Sequence, residues 1–191
     1  MKYLLCALAL GLFLAAACDN SPPPSPAVLA FQEKVDHRFA ELRKVLRQPL
    51  ATGSVVNIDR ALSHYYQAEH KAKRDVKFGV FLLNKDGVMM TGRLPDQRIA
   101  NGDVWVPATR FISYKVVAGA IKDRRTSRSV LYLPPGDPDG PEIYVICSPV
   151  AQSGGEVGAL CLSFFPNHMK KGISREDFLG LQFSGSAPNL P

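Results

Sequence analysis

The spacing of apolar residues changes once along this chain, and that change bounds the folds open to it. From Ala27 to Gln48, Val28, Phe31, Val35, Phe39, Leu42 and Leu46 recur at steps of three and four, the stripe of an amphipathic helix. Glu33, Lys34, Asp36, Arg38, Glu41, Arg43 and Lys44 fill the other side, and Pro49 is expected to stop the helix. After the Thr52-Gly53-Ser54 break, Asn57 can cap a second helix to about Lys73, with Asp59 favourable in its first turn. Ile58, Leu62, Tyr65 or Tyr66, and Ala68 are its expected inward residues.

Beyond that point the period shortens to that of strands. Val76 to Leu83 is rich in β-branched and aromatic residues, Asn84-Lys85-Asp86-Gly87 is a turn, and Val88 to Thr91 returns. Leu94 to Asp103 is polar and irregular. Pro107 suits a first helical turn, and Phe111, Tyr114, Val117, Ala118 and Ile121 then make a stripe ending near Arg125. Gly119 weakens that helix by about 1 kcal/mol relative to Ala. Three strands follow, Ser127 to Leu133, Glu142 to Val150 and Val157 to Phe165, separated by Pro134 to Pro141 and by Gln152 to Glu156. Ser174 and Asp177 can cap a short helix to about Gln182. This order predicts an α+β domain, a five-stranded antiparallel sheet with long N-terminal helices on one face. The middle helix and loop cross the other face and leave room for a pocket.

The first residues belong to a different layout. Lys2 precedes an apolar run from Tyr3 to Leu14, and Ala15-Ala16-Ala17 leads into Cys18, the arrangement of a signal peptide. The run is short for a bilayer, which takes about 20 apolar residues. Small residues directly before a cysteine resemble the lipobox of bacterial lipoproteins. That resemblance implies cleavage before Cys18, lipidation of its sulfur and acylation of its new amino group, with palmitate-type chains holding the protein to the membrane. Residues 1–17 are then the signal peptide and residues 18–27 the lipidated cysteine and tether, where Ser21 to Pro26 favours an extended polyproline spacer. The domain covers 28–183, and 184–191 reads as a disordered tail. Asp19 resembles the retention signal of enteric lipoproteins, which places the expected anchor on the periplasmic face of the inner membrane.

Loss of the first 17 residues leaves 174, a length for one domain, and removes Lys2, so the formal charge falls from +6 to +5. The basic residues are spread, and the densest group, Lys122-Asp123-Arg124-Arg125, is short. Nucleic acid is not an expected partner; a membrane surface is. Cys6 leaves with the signal, so Cys147 and Cys161 remain. A hairpin centred on Gly154 pairs Gln152 with Glu156 and sets Cys147 opposite Cys161, about 4.5 Å apart in a non-hydrogen-bonded pair. A disulfide between them or two buried thiols on one face both satisfy that register. There is no Cys-x-x-Cys-His. His37, His64, His70 and His168 lack metal-ligand spacing, and Asp137-Pro138-Asp139-Gly140 lacks the remaining ligands of a calcium loop. No cofactor or metal is expected. Without Gly-x-Ser-x-Gly, His-Glu-x-x-His or a P-loop, the chain reads as a protein other than an enzyme.

Phe78-Gly-Val-Phe-Leu-Leu-Asn-Lys-Asp-Gly87-Val, then Ile143-Tyr-Val-Ile-Cys-Ser-Pro149-Val, then Gly154-Gly-Glu-Val-Gly-Ala-Leu160 resemble a single Cache domain. Cache domains are the extracytoplasmic PAS-like sensor modules of bacterial receptors, and the likeness spans about residues 28 to 166. It implies a small ligand, a carboxylate or an amino acid. Most such domains sit between two transmembrane helices. Here no second apolar span is evident, so a separate receptor or kinase in the membrane is the implied partner. Candidate ligand contacts are Arg93, Trp105, Arg110, Tyr114, Lys115, Tyr132 and Tyr144. An arginine fork grips a carboxylate bidentately, and an aromatic face encloses the rest of a small molecule. Tyr114 and Lys115 are about 100° apart on a helix, so they are not expected to face the site together. Arg110, which opens the helix expected to cap the sheet, is the first choice. The rival reading is an assembly lipoprotein that uses the first helix as a seam for a partner or a homodimer.

Overall fold

The computed structural model describes residues 23–72, 78–93, 113–132, 139–166, 169 and 173–183. Cys18 and the segment before it lie outside them. Helix α1 (Pro26–Thr52) begins where Ser25 accepts the Val28 N–H on its hydroxyl at 3.3 Å, with Pro26 in the first turn. Its stripe is buried as predicted, from Val28 through Leu46. The expected stop at Pro49 is corrected: α1 runs one turn further and ends at Gly53, whose φ of 66° is left-handed and whose N–H bonds to Leu50 O at 3.1 Å. Leu50, 3% exposed, extends the stripe into that turn. Burying such a side chain is worth about 1.5–3 kcal/mol, which offsets the one hydrogen bond that proline forgoes.

Helix α2 (Val55–Lys71) follows at once. Its cap is Ser54, not the predicted Asn57: the Asn57 N–H donates to Ser54 Oγ at 3.3 Å. Asn57 is inside the first turn, where its own side chain cannot cap.

Strands β1 (Gly79–Leu83), β2 (Met89–Arg93), β3 (Ser127–Tyr132), β4 (Glu142–Ala151) and β5 (Val157–Phe164) form one antiparallel sheet, ordered β2-β1-β5-β4-β3. The domain is therefore α+β, with the long N-terminal helices on one face of the sheet. Alternation along the strands divides it into two layers. Val80, Leu82, Tyr144, Ile146, Leu160 and Leu162 join the stripes of α1 and α2 in one core. Phe81, Leu83, Ile143, Val145, Cys147, Ala159 and Cys161 lie on the reverse, under helix α3 (Lys115–Ile121).

Helix α3 is the described part of the predicted middle helix; Pro107 and Phe111 fall outside the described residues. Gly119 has a structural reason to be there, because a methyl group in its place would overlap the Ser127 hydroxyl. The glycine lets α3 settle onto β3. Helix α4 (Arg175–Gly180) closes the first core, and Ser174 and Asp177 form the predicted capping box. Its Phe178 is fully buried, edge-on to Tyr144 at 4.8 Å.

Candidate functional site

The reverse face of the sheet is the surface on which a ligand pocket was expected. It is built from small and branched apolar residues, with Tyr114 half-buried at the N-cap of α3 and Leu131 and Phe165 at its margin. Across its middle, Cys147 and Cys161 are joined by a disulfide, S–S 2.02 Å and Cα–Cα 4.1 Å. The register is the one read from the turn: Cys147 opposes Cys161, and Gln152 N–H bonds to Glu156 O at 2.8 Å. Gly154, at φ 71°, supplies the left-handed position that this tight turn needs.

Ser163 stands two residues beyond Cys161 on that face, opposite Val145 and Gly79. It is wholly buried, yet its hydroxyl makes no hydrogen bond among the described residues. An unsatisfied buried hydroxyl costs about 1–3 kcal/mol. The sequence signal was a lone serine in Leu160-Cys161-Leu162-Ser163-Phe164, at the same strand parity as the bridged cysteine.

The other candidates divide between the two layers. Tyr114 packs on the reverse face while its neighbour Lys115 is exposed, in line with their expected divergence. Tyr144 belongs to the opposite core, so it does not share a wall with Tyr114. Its hydroxyl donates to Glu142 at 3.4 Å, and Glu142 pairs with Arg175 at 3.0 Å. Tyr132 stands beside Arg175 and, after the Glu142 charge, helps raise its guanidinium above the ordinary value. Both tyrosines therefore hold α4 to β3 and β4 rather than joining the α3 face. Burial, then the Glu142 charge, pushes the Tyr144 phenol up from its ordinary value. Arg93 ends β2 opposite Val80 in register. Trp105 and Arg110 lie outside the described residues.

Two charged arrangements hold the helical layer. Arg38 is buried between α1 and α2, its Nη1 donating to Glu69 at 2.6 Å, to Glu41 at 2.8 Å and to the Tyr65 hydroxyl at 2.9 Å. Arg43 donates to Ser148, which shares a 2.9 Å hydrogen bond with Thr126, and its guanidinium lies 5.7 Å from the Phe39 ring. Burial holds the Arg43 guanidinium below its ordinary range, only partly opposed by Asp36. A groove of about 290 Å³ lies at the elbow between α1 and α2. Among the described residues no cluster of His, Cys, Asp and Glu could hold a metal ion, and no helix is long and apolar enough to cross a membrane.

No protein-family model and no curated protein matches this sequence. Solved structures with partial overlap include the ligand-binding domain of the amino acid chemoreceptor PctC from Pseudomonas aeruginosa PAO1, in complex with GABA, at 15% identity and TM-score 0.49. An extracellular ligand-binding receptor from Desulfohalobium retbaense overlaps at 10% identity and TM-score 0.49. The E. coli DhaR(N)–DhaL complex does so at 9% identity and TM-score 0.41. These overlaps cover 75%, 78% and 82% of this chain but only 60%, 26% and 48% of the respective partners. These overlaps are too loose to assign a family; the α+β architecture rests on the chain's own strand order and layers.

Proposed function

We propose that this chain is a lipid-anchored, extracytoplasmic module that binds a small carboxylate or amino acid on the α3 face and reports to a separate membrane protein, a receptor or kinase. Cys18 is the proposed anchor point, and residues 28–183 the proposed sensor domain. The observation that carries the binding reading is the buried hydroxyl of Ser163, at the same strand parity as Cys161 and without a partner among the described residues. Tyr114 is the described aromatic residue on the same face. Arg110 is proposed to hold the ligand's carboxylate, with Arg93 and Trp105 as further contacts. The rival reading loses its main support, since the α1 stripe is buried against the protein's own sheet and α2. What α1 leaves exposed, Leu29 and Val45, sits near opposite ends of the helix and forms no seam.

A thermal-shift screen of the mature chain against small carboxylates and amino acids tests this. A ligand at a hundred times its dissociation constant adds about 2.7 kcal/mol, a rise of roughly 5–10 °C for a chain of this size. Ser163→Ala is expected to leave the unliganded protein as stable as before or slightly more so, and to shrink the ligand-induced rise. Silence across the panel, or an undiminished rise in the variant, rejects the assignment.

A further inference from the structure

The elbow between α1 and α2 carries a second feature, separate from the α3 face. The last turn of α1 contributes Gln48 and Thr52 to the groove, and α2 contributes Asn57, Arg60 and His64. On α2 these three are one turn apart in succession, so they share a stripe. That stripe runs beside the buried one of Ile58, Leu62 and Tyr65. Neither Arg60 nor His64 has a partner among the described residues, and no carboxylate lines the groove. Gln48 and Asn57 likewise have side-chain amides without partners there.

We propose that this groove is a binding site for a short dicarboxylate. Arg60 and His64 are four residues apart, which is about 6 Å of helix rise. That distance suits the two ends of a four- or five-carbon diacid. The Arg60 fork can take one carboxylate through two parallel N–H bonds, and His64 can donate to the other. The amides of Gln48 and Asn57, from opposite sides of the groove, can supply N–H groups to the remaining oxygens. A volume of about 290 Å³ admits such a molecule and lies at the low end for ligand pockets, below what drug-sized ligands occupy. The site stands on the helical layer, with the sheet between it and Ser163, so neither reading depends on the other.

The test is a titration of the isotope-labelled mature chain with succinate, followed by amide chemical shifts, with acetate as the single-carboxylate control. Saturable shifts are expected at Gln48, Asn57, Arg60 and His64, with acetate at least about ten-fold weaker. Arg60→Gln is expected to weaken succinate by about ten-fold or more. Arg47→Gln removes the same charge from an exposed neighbour outside the groove and is expected to change affinity by less than about two-fold. Equal losses in the two variants would reduce the effect to the general positive field and overturn the site. No saturable shift up to about 10 mM succinate overturns it as well. Shifts confined to the α3 face would overturn the elbow site while supporting the sensor pocket.

Discussion

Removing Glu69 should cost far more than removing Glu69 and Arg38 together. The side chains of Arg38 and Glu69 are only 10% and 5% exposed. Arg38 Nη1 is also bonded to Glu41 and Tyr65, its guanidinium sits 5.3 Å from the Phe78 ring, and its Nε is buried without a partner. Glu69→Ala therefore leaves a desolvated cation with one carboxylate, Glu41, which is itself 26% exposed. Breaking a buried ion pair from one side costs about 3–5 kcal/mol, and the surviving Glu41 contact puts this case near 3. Arg38→Met takes from the buried Glu69 carboxylate its 2.6 Å partner and costs a similar amount. The double variant Arg38→Met/Glu69→Leu removes both charges and keeps the volume, so its cost should stay under about 1 kcal/mol. Urea unfolding reads this directly: each single variant lowers the midpoint at constant slope, and the double variant recovers most of the loss. If the double variant costs the sum of the singles, the pair is not coupled and the argument fails.

Reduction of Cys147–Cys161, or replacing both by Ala, opens the loop that the bridge closes across a 14-residue separation and should lower stability by about 3 kcal/mol; identical melting with and without reductant would contradict it. Arg124 is exposed at φ 51°, a left-handed position that suits glycine. Arg124→Gly should gain about 0.5 kcal/mol net of glycine's greater unfolded freedom, and a loss would reveal a needed Arg124 contact. Burial, with the carboxylates of Glu41 and Glu69 adding and Arg38 opposing, pushes the Tyr65 phenol from 10.0 up to about 12. The neutral phenol is thus favoured by folding: its contribution is complete below about pH 10 and disappears as pH rises through about 12. Tyr65→Phe should flatten that limb of the stability profile, and an unchanged alkaline limb would refute the assignment.

Features governed by local geometry were legible in the sequence. The Ser174–Asp177 capping box and the Cys147–Cys161 register follow from spacings of a few residues around a fixed turn. The two-layer division could be read too, since Tyr144 and Cys147 differ in strand parity and must face opposite ways. That rule alone separates Tyr144 from the α3 face. Pro49 misled because a stop signal in a helix is only a local preference, and Leu50 found core to fill beyond it. Pairing of β1 with β5 brings together residues far apart in the chain, which no turn signal encodes. Ser163 was missed for a related reason. A serine in a strand means little until its neighbours are known to leave it without a partner.

The two layers differ in how firmly they are held, and that difference bears on how a ligand could be sensed. The helical layer is joined by ring contacts running from Phe31 to Phe164 at 5.4 Å, on to Phe78 at 6.3 Å and to Tyr66 at 6.1 Å, and by the Arg38 network. The α3 layer rests on a seven-residue helix with no side-chain cap, packed through Val116, Val117 and Ala120. A bound molecule can shift only an equilibrium whose gap its binding energy can bridge. Elements with few large buried groups open first. On those grounds α3 is the element a ligand at Ser163 would order. Its exit leads directly to Thr126, which is hydrogen-bonded to Ser148, and Ser148 accepts from Arg43 of α1. One chain of polar contacts thus joins Thr126, five residues past the end of α3, to the middle of the long helix, around the start of β3 rather than through the apolar core. Ordering at the α3 face has a physical route to α1 there, and α1 is the helix that leads back toward the proposed anchor.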